Sequence, residues 1–213
     1  MQSFKEAFSR HLRHPSTGPV GWLVKQFLVR RNGYLEKEAA RLLGIQPHDS
    51  VLEVGFGPGV GLQYALGQMG GDGRGKVHGL EMSPDMIHSA TKRLHKHIAS
   101  GKLQLTLGNV MELPYPDDSM DRIFHVNCYY FWDDLDQGCK ELYRVMSPGG
   151  AMVCTLNSKM VKLTIEKDFN KYADKYDPDG YMTSLERTGF TGVRIEHLQD
   201  GEKSFEAIFA GKE

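Results

Sequence analysis

Val51-Leu52-Glu53-Val54-Gly55-Phe56-Gly57-Pro58-Gly59-Val60-Gly61 runs an apolar strand straight into glycines at every second position. Glycine has no Cβ, so such a segment can turn sharply and let a ligand lie against the main chain, where a side chain would collide with it. A dinucleotide fingerprint reads Gly-x-Gly-x-x-Gly. Here the glycines fall at 55, 57, 59 and 61, and Glu53 stands two residues before the first. A short motif of this kind also fits a strand-to-helix turn with no ligand, and the next segment decides between the two. Lys76-Val77-His78-Gly79-Leu80-Glu81 is a second apolar run that ends in an acid. It lies roughly 20 residues beyond the glycines, where a nucleotide-binding fold places the carboxylate that accepts the ribose hydroxyl protons.

From Ser50 onward, apolar runs alternate with helical patterns, the signal for a parallel sheet with crossover helices. Strands are expected over 50–56, 76–82, 103–109, 121–128 and 150–157. Ser83 reads as an N-cap, Pro84 fits the first helical position and Asp85 complements the dipole, so a helix should run to about Ser100. A second helix is expected over 133–146, with Leu135, Cys139, Leu142 and Tyr143 on one face and Ser147-Pro148-Gly149-Gly150 ending it. Near the end of the chain, Thr191 to Leu198 and Ser204 to Gly211 are β-patterned and joined through Asp200-Gly201, a hairpin signal. Phe4, Phe8 and Leu12 at helical spacing, then Pro19-Val20-Gly21-Trp22-Leu23 and Phe27-Leu28, predict a helix pair packed on the sheet. The expected organisation is one domain: an N-terminal helical cap over 1–48 and a ligand-binding α/β unit over 49–213.

The chain has 213 residues, 26 basic and 27 acidic, and a net charge of −1. That balance gives no basic footprint for phosphates, so nucleic acid is not an expected partner. Cys128, Cys139 and Cys154 form no Cys-x-x-Cys pair and suit a reducing compartment as buried small hydrophobes. No apolar run approaches the roughly 20 residues of a membrane span, and the first residues carry charges where a secretory signal needs an apolar segment. A soluble, cytoplasmic protein without membrane insertion is expected. The sequence carries no signal for an oligomeric state.

Three further segments bear on the ligand. Gly108-Asn109-Val110-Met111-Glu112-Leu113-Pro114 follows the third strand, and Asp121-Arg122-Ile123-Phe124-His125-Val126-Asn127 forms the fourth and leads into Cys128-Tyr129-Tyr130-Phe131-Trp132. Leu142-Tyr143-Arg144-Val145-Met146-Ser147-Pro148-Gly149-Gly150 precedes the fifth. With the glycine loop and the terminal hairpin, this succession resembles the class I S-adenosylmethionine-dependent methyltransferases. The likeness is to the ubiquinone/menaquinone-type, methyltransferase type 11-like branch that acts on small molecules. It implies a Rossmann-like three-layer α/β sandwich whose mostly parallel seven-stranded sheet ends in an antiparallel hairpin. It also implies that S-adenosyl-L-methionine binds with its methionine end at Glu53, Gly55, Gly57 and Gly59 and its ribose on Glu81. Met82 would lie against adenine, Asn109 with Val110 would fix the adenine edge, and Asn127 would sit beside the sulfonium. Asn109 stands where the family usually has Asp; an amide can accept from the exocyclic amine and donate to a ring nitrogen.

Methyl transfer from a sulfonium is an in-line displacement, so the protein mainly has to hold acceptor and methyl about 3 Å apart. A base is needed only if the acceptor arrives protonated, and typically adds about 10²–10⁴-fold. His125, Tyr129 and Tyr130 are the candidates to position or deprotonate a small-molecule acceptor at O, N or S. Strand alternation puts His125 on the same face as Asn127, though a packed core histidine fits the same pattern. The Tyr129–Trp132 run could bind a flat ring or a cationic substrate, and Tyr172, Tyr176 and Tyr181 could add a further wall. No metal is expected: Asn127 replaces the Asp that catechol-type relatives use for magnesium, and His11 and His14 lack further ligands. Two other readings stay open, a non-catalytic binding module on the same fold and an NAD-dependent oxidoreductase, which would need the other glycine spacing.

Overall fold

The computed structural model describes residues 2–13, 19–70, 73–173 and 175–213; within the first two helices it describes the side chains of residues 5–12, 26 and 29–43. The expected apolar contacts of Phe4, Trp22, Leu23, Phe27 and Leu28, and the place of His14, lie outside these described parts.

Two helices come first, α1 (Gln2–Arg13) and α2 (Pro19–Leu43), followed by β1 (Ser50–Val54), α3 (Val60–Met69), β2 (Lys76–Glu81), α4 (Pro84–Ala99) and β3 (Leu103–Leu107). The second half comprises β4 (Met120–Val126), a single 3-10 turn at Tyr129–Phe131, α5 (Leu135–Val145), β5 (Met146–Leu156), α6 (Ser158–Glu166), α7 (Pro178–Thr188), β6 (Thr191–Asp200) and β7 (Lys203–Gly211). The strands form one seven-stranded sheet in the order β3-β2-β1-β4-β5-β7-β6. The first five are parallel, and β7 inserts antiparallel between β5 and β6. This is the expected three-layer sandwich.

Alternation along the strands divides the core in two. Leu52, Ile123, Met152 and Cys154 pack with Leu142, Tyr181 and Leu185 of α5 and α7. Val51, Phe124 and Val153 face the other way, toward Leu35 of α2, Leu62 of α3 and Ala90 of α4. Burying Leu35 and Leu43 contributes about 1.5–3 kcal/mol each, and the Thr155 hydroxyl donates to the Leu35 carbonyl at 3.0 Å. The C-terminal half of α2 is therefore a full member of one helical layer, and it carries Arg31, Asn32 and Glu36 to the edge of the sheet.

Ser83 caps α4 by accepting from the Met86 N–H, with Pro84 at the first position and Asp85 in the first turn, as its sequence signals require. Asp134 does the same for α5. The segment 147–149, expected to end the helix ahead of a strand at 150, belongs instead to β5: Met120 pairs with Met146 ahead of a register shift, so the turn after α5 is absorbed into the strand's irregular start. Among the described residues no helix is long and apolar enough to cross a membrane.

Candidate functional site

The chain leaves β1 toward β2 on one side and returns as β4 on the other, which opens a crevice beyond the C-terminal ends of these strands. The glycine loop forms its floor. At Gly57, φ is +52° and an added Cβ would meet nothing within 4 Å, so the bare front of the loop faces open space. At Gly61 a Cβ would stand 2.2 Å from Glu53 Oε1. Glycine there makes room for a carboxylate beneath the loop.

Three buried acids converge on this loop. Glu81 lines the cleft and accepts from the Gly57 N–H at 3.0 Å and the Ser83 N–H at 2.9 Å. Burial raises its pKa, and hydrogen bonds from the Ser83, Gly57 and Met82 amides oppose that rise. Glu53 sits under the loop rather than in the cleft, 1% exposed. Its Oε2 is buried without a hydrogen-bond partner. Burial, then repulsion from Glu36 and Glu81, holds this carboxyl well above the usual range. Glu36 of α2 lines the same cleft and accepts from the Gly61 N–H. Burial pushes its pKa up to about 7 against the pull of the Gly61 amide and Arg93. The sequence reading missed Glu36, although it falls at helical spacing with Ala39, Ala40 and Leu43, an acid placed on a buried face.

Across the cleft stand Met82, 38% exposed, with Asn109 and Val110. Asn109 Oδ1 accepts from the Met111 N–H at 3.1 Å, so the carbonyl offered to an exocyclic amine is already engaged by a turn. The loop that carries Asn109 is tied down by Arg144. Its guanidinium donates to the Leu113 and Tyr115 carbonyls, both at 2.9 Å, and to the carboxylates of Asp117 and Glu141. Glu141 in turn accepts from the Leu113 N–H at 2.7 Å.

Asn127 follows β4 in the left-handed region, φ +49°. Its Nδ2 donates to Asn32 Oδ1 at 3.2 Å, whereas its own Oδ1 is buried without a partner. Tyr130 also lines the cleft, 4% exposed, its phenol pKa pushed up by burial. Two candidates do not reach it. His125 is fully buried with Nε2 2.7 Å from the Tyr181 hydroxyl, and burial drives its pKa down to about 3. The Tyr129 hydroxyl donates to the Tyr176 carbonyl at 2.8 Å, and its ring stacks on Tyr181 with centroids 4.3 Å apart. His125 and Tyr129 are thus packed in the core, and neither lines the cleft. Tyr181 is fully buried with them, so it forms no pocket wall. Gly55 lines the cleft, and Gly59 instead packs against Ala90 of α4. Among the described residues no three His, Cys, Asp or Glu side chains are grouped to hold a metal ion.

A family model described as a methyltransferase domain matches residues 52–154. The uncharacterized methyltransferase YdaC of Bacillus subtilis is 31% identical over 140 residues, which cover 66% of this chain and 74% of that protein. Demethylmenaquinone methyltransferase of Oceanobacillus iheyensis is 32% identical over 133 residues, 61% of this chain; the match spans about half of that relative, 53%. Among solved structures, phosphoethanolamine N-methyltransferase 2 of Haemonchus contortus in complex with S-adenosyl-L-methionine superposes with a TM-score of 0.71. It is 16% identical, and the match covers 96% of this chain and 60% of that one.

Proposed function

Since this chain belongs to the class I S-adenosylmethionine-dependent methyltransferases, we propose that it transfers the methyl group to an O, N or S atom of a small-molecule acceptor. The observation that carries the placement of the cofactor is the bed of acids under a bare loop. A Glu53 carboxyl repelled by Glu36 and Glu81, with its Oε2 unpartnered, suits a ligand that brings positive charge to the open front of Gly57. When bound, the sulfonium supplies an activated methyl group and leaves as a neutral thioether.

Each remaining contribution comes from the chain's own side chains. Glu81 is the acceptor for ribose hydroxyls, Met82 and Val110 flank the base, and Asn109 meets its edge. Arg144 keeps the Asn109 loop in one conformation by tying Leu113 and Tyr115 to Glu141 of its own helix with one planar cation. Asn127 and Tyr130 face the place where an acceptor atom has to stand. A buried phenol with a raised pKa keeps its proton at neutral pH, so Tyr130 acts by donating a hydrogen bond. Catalysis then rests on alignment, the contribution that proximity and orientation can make largest.

Calorimetric titration with S-adenosylmethionine and with S-adenosylhomocysteine tests the reading, followed by turnover of isotopically labelled cofactor against a metabolite pool. Absence of binding by either nucleoside would end it; binding without turnover would select the non-catalytic module.

A further inference from the structure

Beyond Asn32 and Asn127 lies a second cleft of about 710 Å³, a volume within the range of about 300–1,000 Å³ usual for small-ligand sites. Arg31, Asn32 and Asn127 line both clefts, so the two adjoin at these side chains. One wall is apolar. Met160 and Leu163, one turn apart on α6, are 41% and 37% exposed. Phe8 of α1 and Phe169 line the same space, their rings edge to face at 5.6 Å. Exposed apolar side chains gathered at a cleft, rather than scattered singly, mark a place where something apolar binds.

The charge lining this cleft is one-sided. Among the described residues Arg30, Arg31, Lys159 and Lys203 contribute four cations against a single acid, Glu202, in a chain whose 26 basic and 27 acidic residues nearly cancel. Arg30, Lys159 and Lys203 are exposed and stand at the mouth, with the Lys203 ammonium 4.8 Å above the Tyr34 ring. A cationic acceptor, the alternative suggested by the aromatic run after β4, would enter against this field.

Resting on the reading above, we propose that the second cleft is the acceptor site and that the acceptor is an anionic amphiphile. Its apolar body lies on Met160, Leu163, Phe8 and Phe169, and its carboxylate or phosphate is held by Arg30, Lys159 and Lys203. The atom to be methylated passes between Arg31 and Asn32 to Asn127. The unpartnered Oδ1 of Asn127, at the junction of the clefts, is a hydrogen-bond acceptor waiting for an N–H or O–H. This favours amine or hydroxyl acceptors over thioethers.

The test titrates the full chain with octyl phosphate below its micelle concentration, octyltrimethylammonium and inorganic phosphate, each with and without S-adenosylhomocysteine. Octyl phosphate should bind at least about tenfold more tightly than the other two. The Lys159→Glu/Lys203→Glu variant should lose about tenfold or more of that affinity, and the uncharged Met160→Ser should weaken octyl phosphate without affecting inorganic phosphate. Equal or tighter binding of octyltrimethylammonium would overturn the proposal, as would an unaffected charge variant. Binding only above the micelle concentration would overturn it in favour of a lipid surface. Nucleoside binding in the same titrations separates the two readings: if S-adenosylhomocysteine binds and octyl phosphate does not, only the acceptor class falls. If octyl phosphate binds and the nucleoside does not, the methyltransferase reading falls and the chemistry of the cleft stands.

Discussion

Replacing Glu36 with Gln should stabilise the ligand-free protein at alkaline pH and weaken cofactor binding under the same conditions. The Glu36 carboxyl is held at about 7 against an ordinary 4.5, chiefly by burial, with Glu53 close enough for the two charges to repel. An acid whose pKa rises on folding holds its proton more tightly in the folded state. The stability it contributes is complete below 4.5 and is lost as the pH climbs through 7. At about 1.36 kcal/mol per pH unit, the interval from 4.5 to 7 amounts to about 3 kcal/mol. Gln keeps a carbonyl oxygen for the Gly61 N–H and removes the charge. Urea unfolding of the Glu36→Gln variant should therefore match the parent near about pH 5 and exceed it by up to about 3 kcal/mol near about pH 8. Binding should move the opposite way. A cation beside these carboxyls favours their ionised forms, so the parent should expel protons as it binds S-adenosylmethionine and its affinity should rise with pH. The variant should bind more weakly at about pH 8 and release fewer protons, which calorimetry in buffers of different ionisation enthalpy measures. Parallel stability curves across the whole range, with the same proton release in both proteins, would refute the argument.

Gly57→Val should abolish cofactor binding by filling the open front of the loop, and Gly57→Ala should weaken it less; circular dichroism should report an intact sheet, and undiminished calorimetric affinity would contradict the placement of the loop. Glu81→Ala should cost about 1–3 kcal/mol of cofactor affinity by leaving ribose hydroxyls unpaired, and an unchanged dissociation constant would remove Glu81 from the ribose site. Tyr181→Phe should lower stability by about 1–3 kcal/mol in urea unfolding, since it strips the hydroxyl from a fully buried His125. The same variant should retain cofactor affinity, and a selective loss of affinity with unchanged stability would return His125 to the site.

The parts of the site that could be read from residues alone are those where the backbone itself is the constraint. Alternating glycines after an apolar strand, an acid at the end of the next strand and an N-cap followed by Pro and Asp each act locally, and β1, β2 and α4 lie where these signals put them. Strand parity misled at β4 for a physical reason. His125 does point to one face of the sheet, but β4 lies between β1 and β5 with helices on both sides, so that face is the core under α5 and α7. Parity also stops at Val126: the left-handed turn at Asn127 swings its side chain toward the clefts, away from the environment of His125. Glu36 was written in the spacing of α2, but only the packing of that helix on β4 and β5 reveals which ligand edge its buried face meets.

Composition hides the most consequential feature, because a sum of charges says nothing about where they are. A net charge of −1 conceals three acids around the glycine loop and, a few side chains away, four cations against one acid around the second cleft. The groups of the second cleft come from α2, α6 and the hairpin of β6 and β7, segments far apart in sequence that only the finished sheet brings together. On the proposal made above, the segregation has a purpose. The acids favour a cationic methyl donor and reject an anion, and the bases do the reverse, so each ligand is excluded from the other's cleft by the repulsion that fixes its own. The pair Asn32–Asn127, uncharged and shared by both clefts beside Arg31, is then where donor and acceptor meet, between the acids of one cleft and the bases of the other.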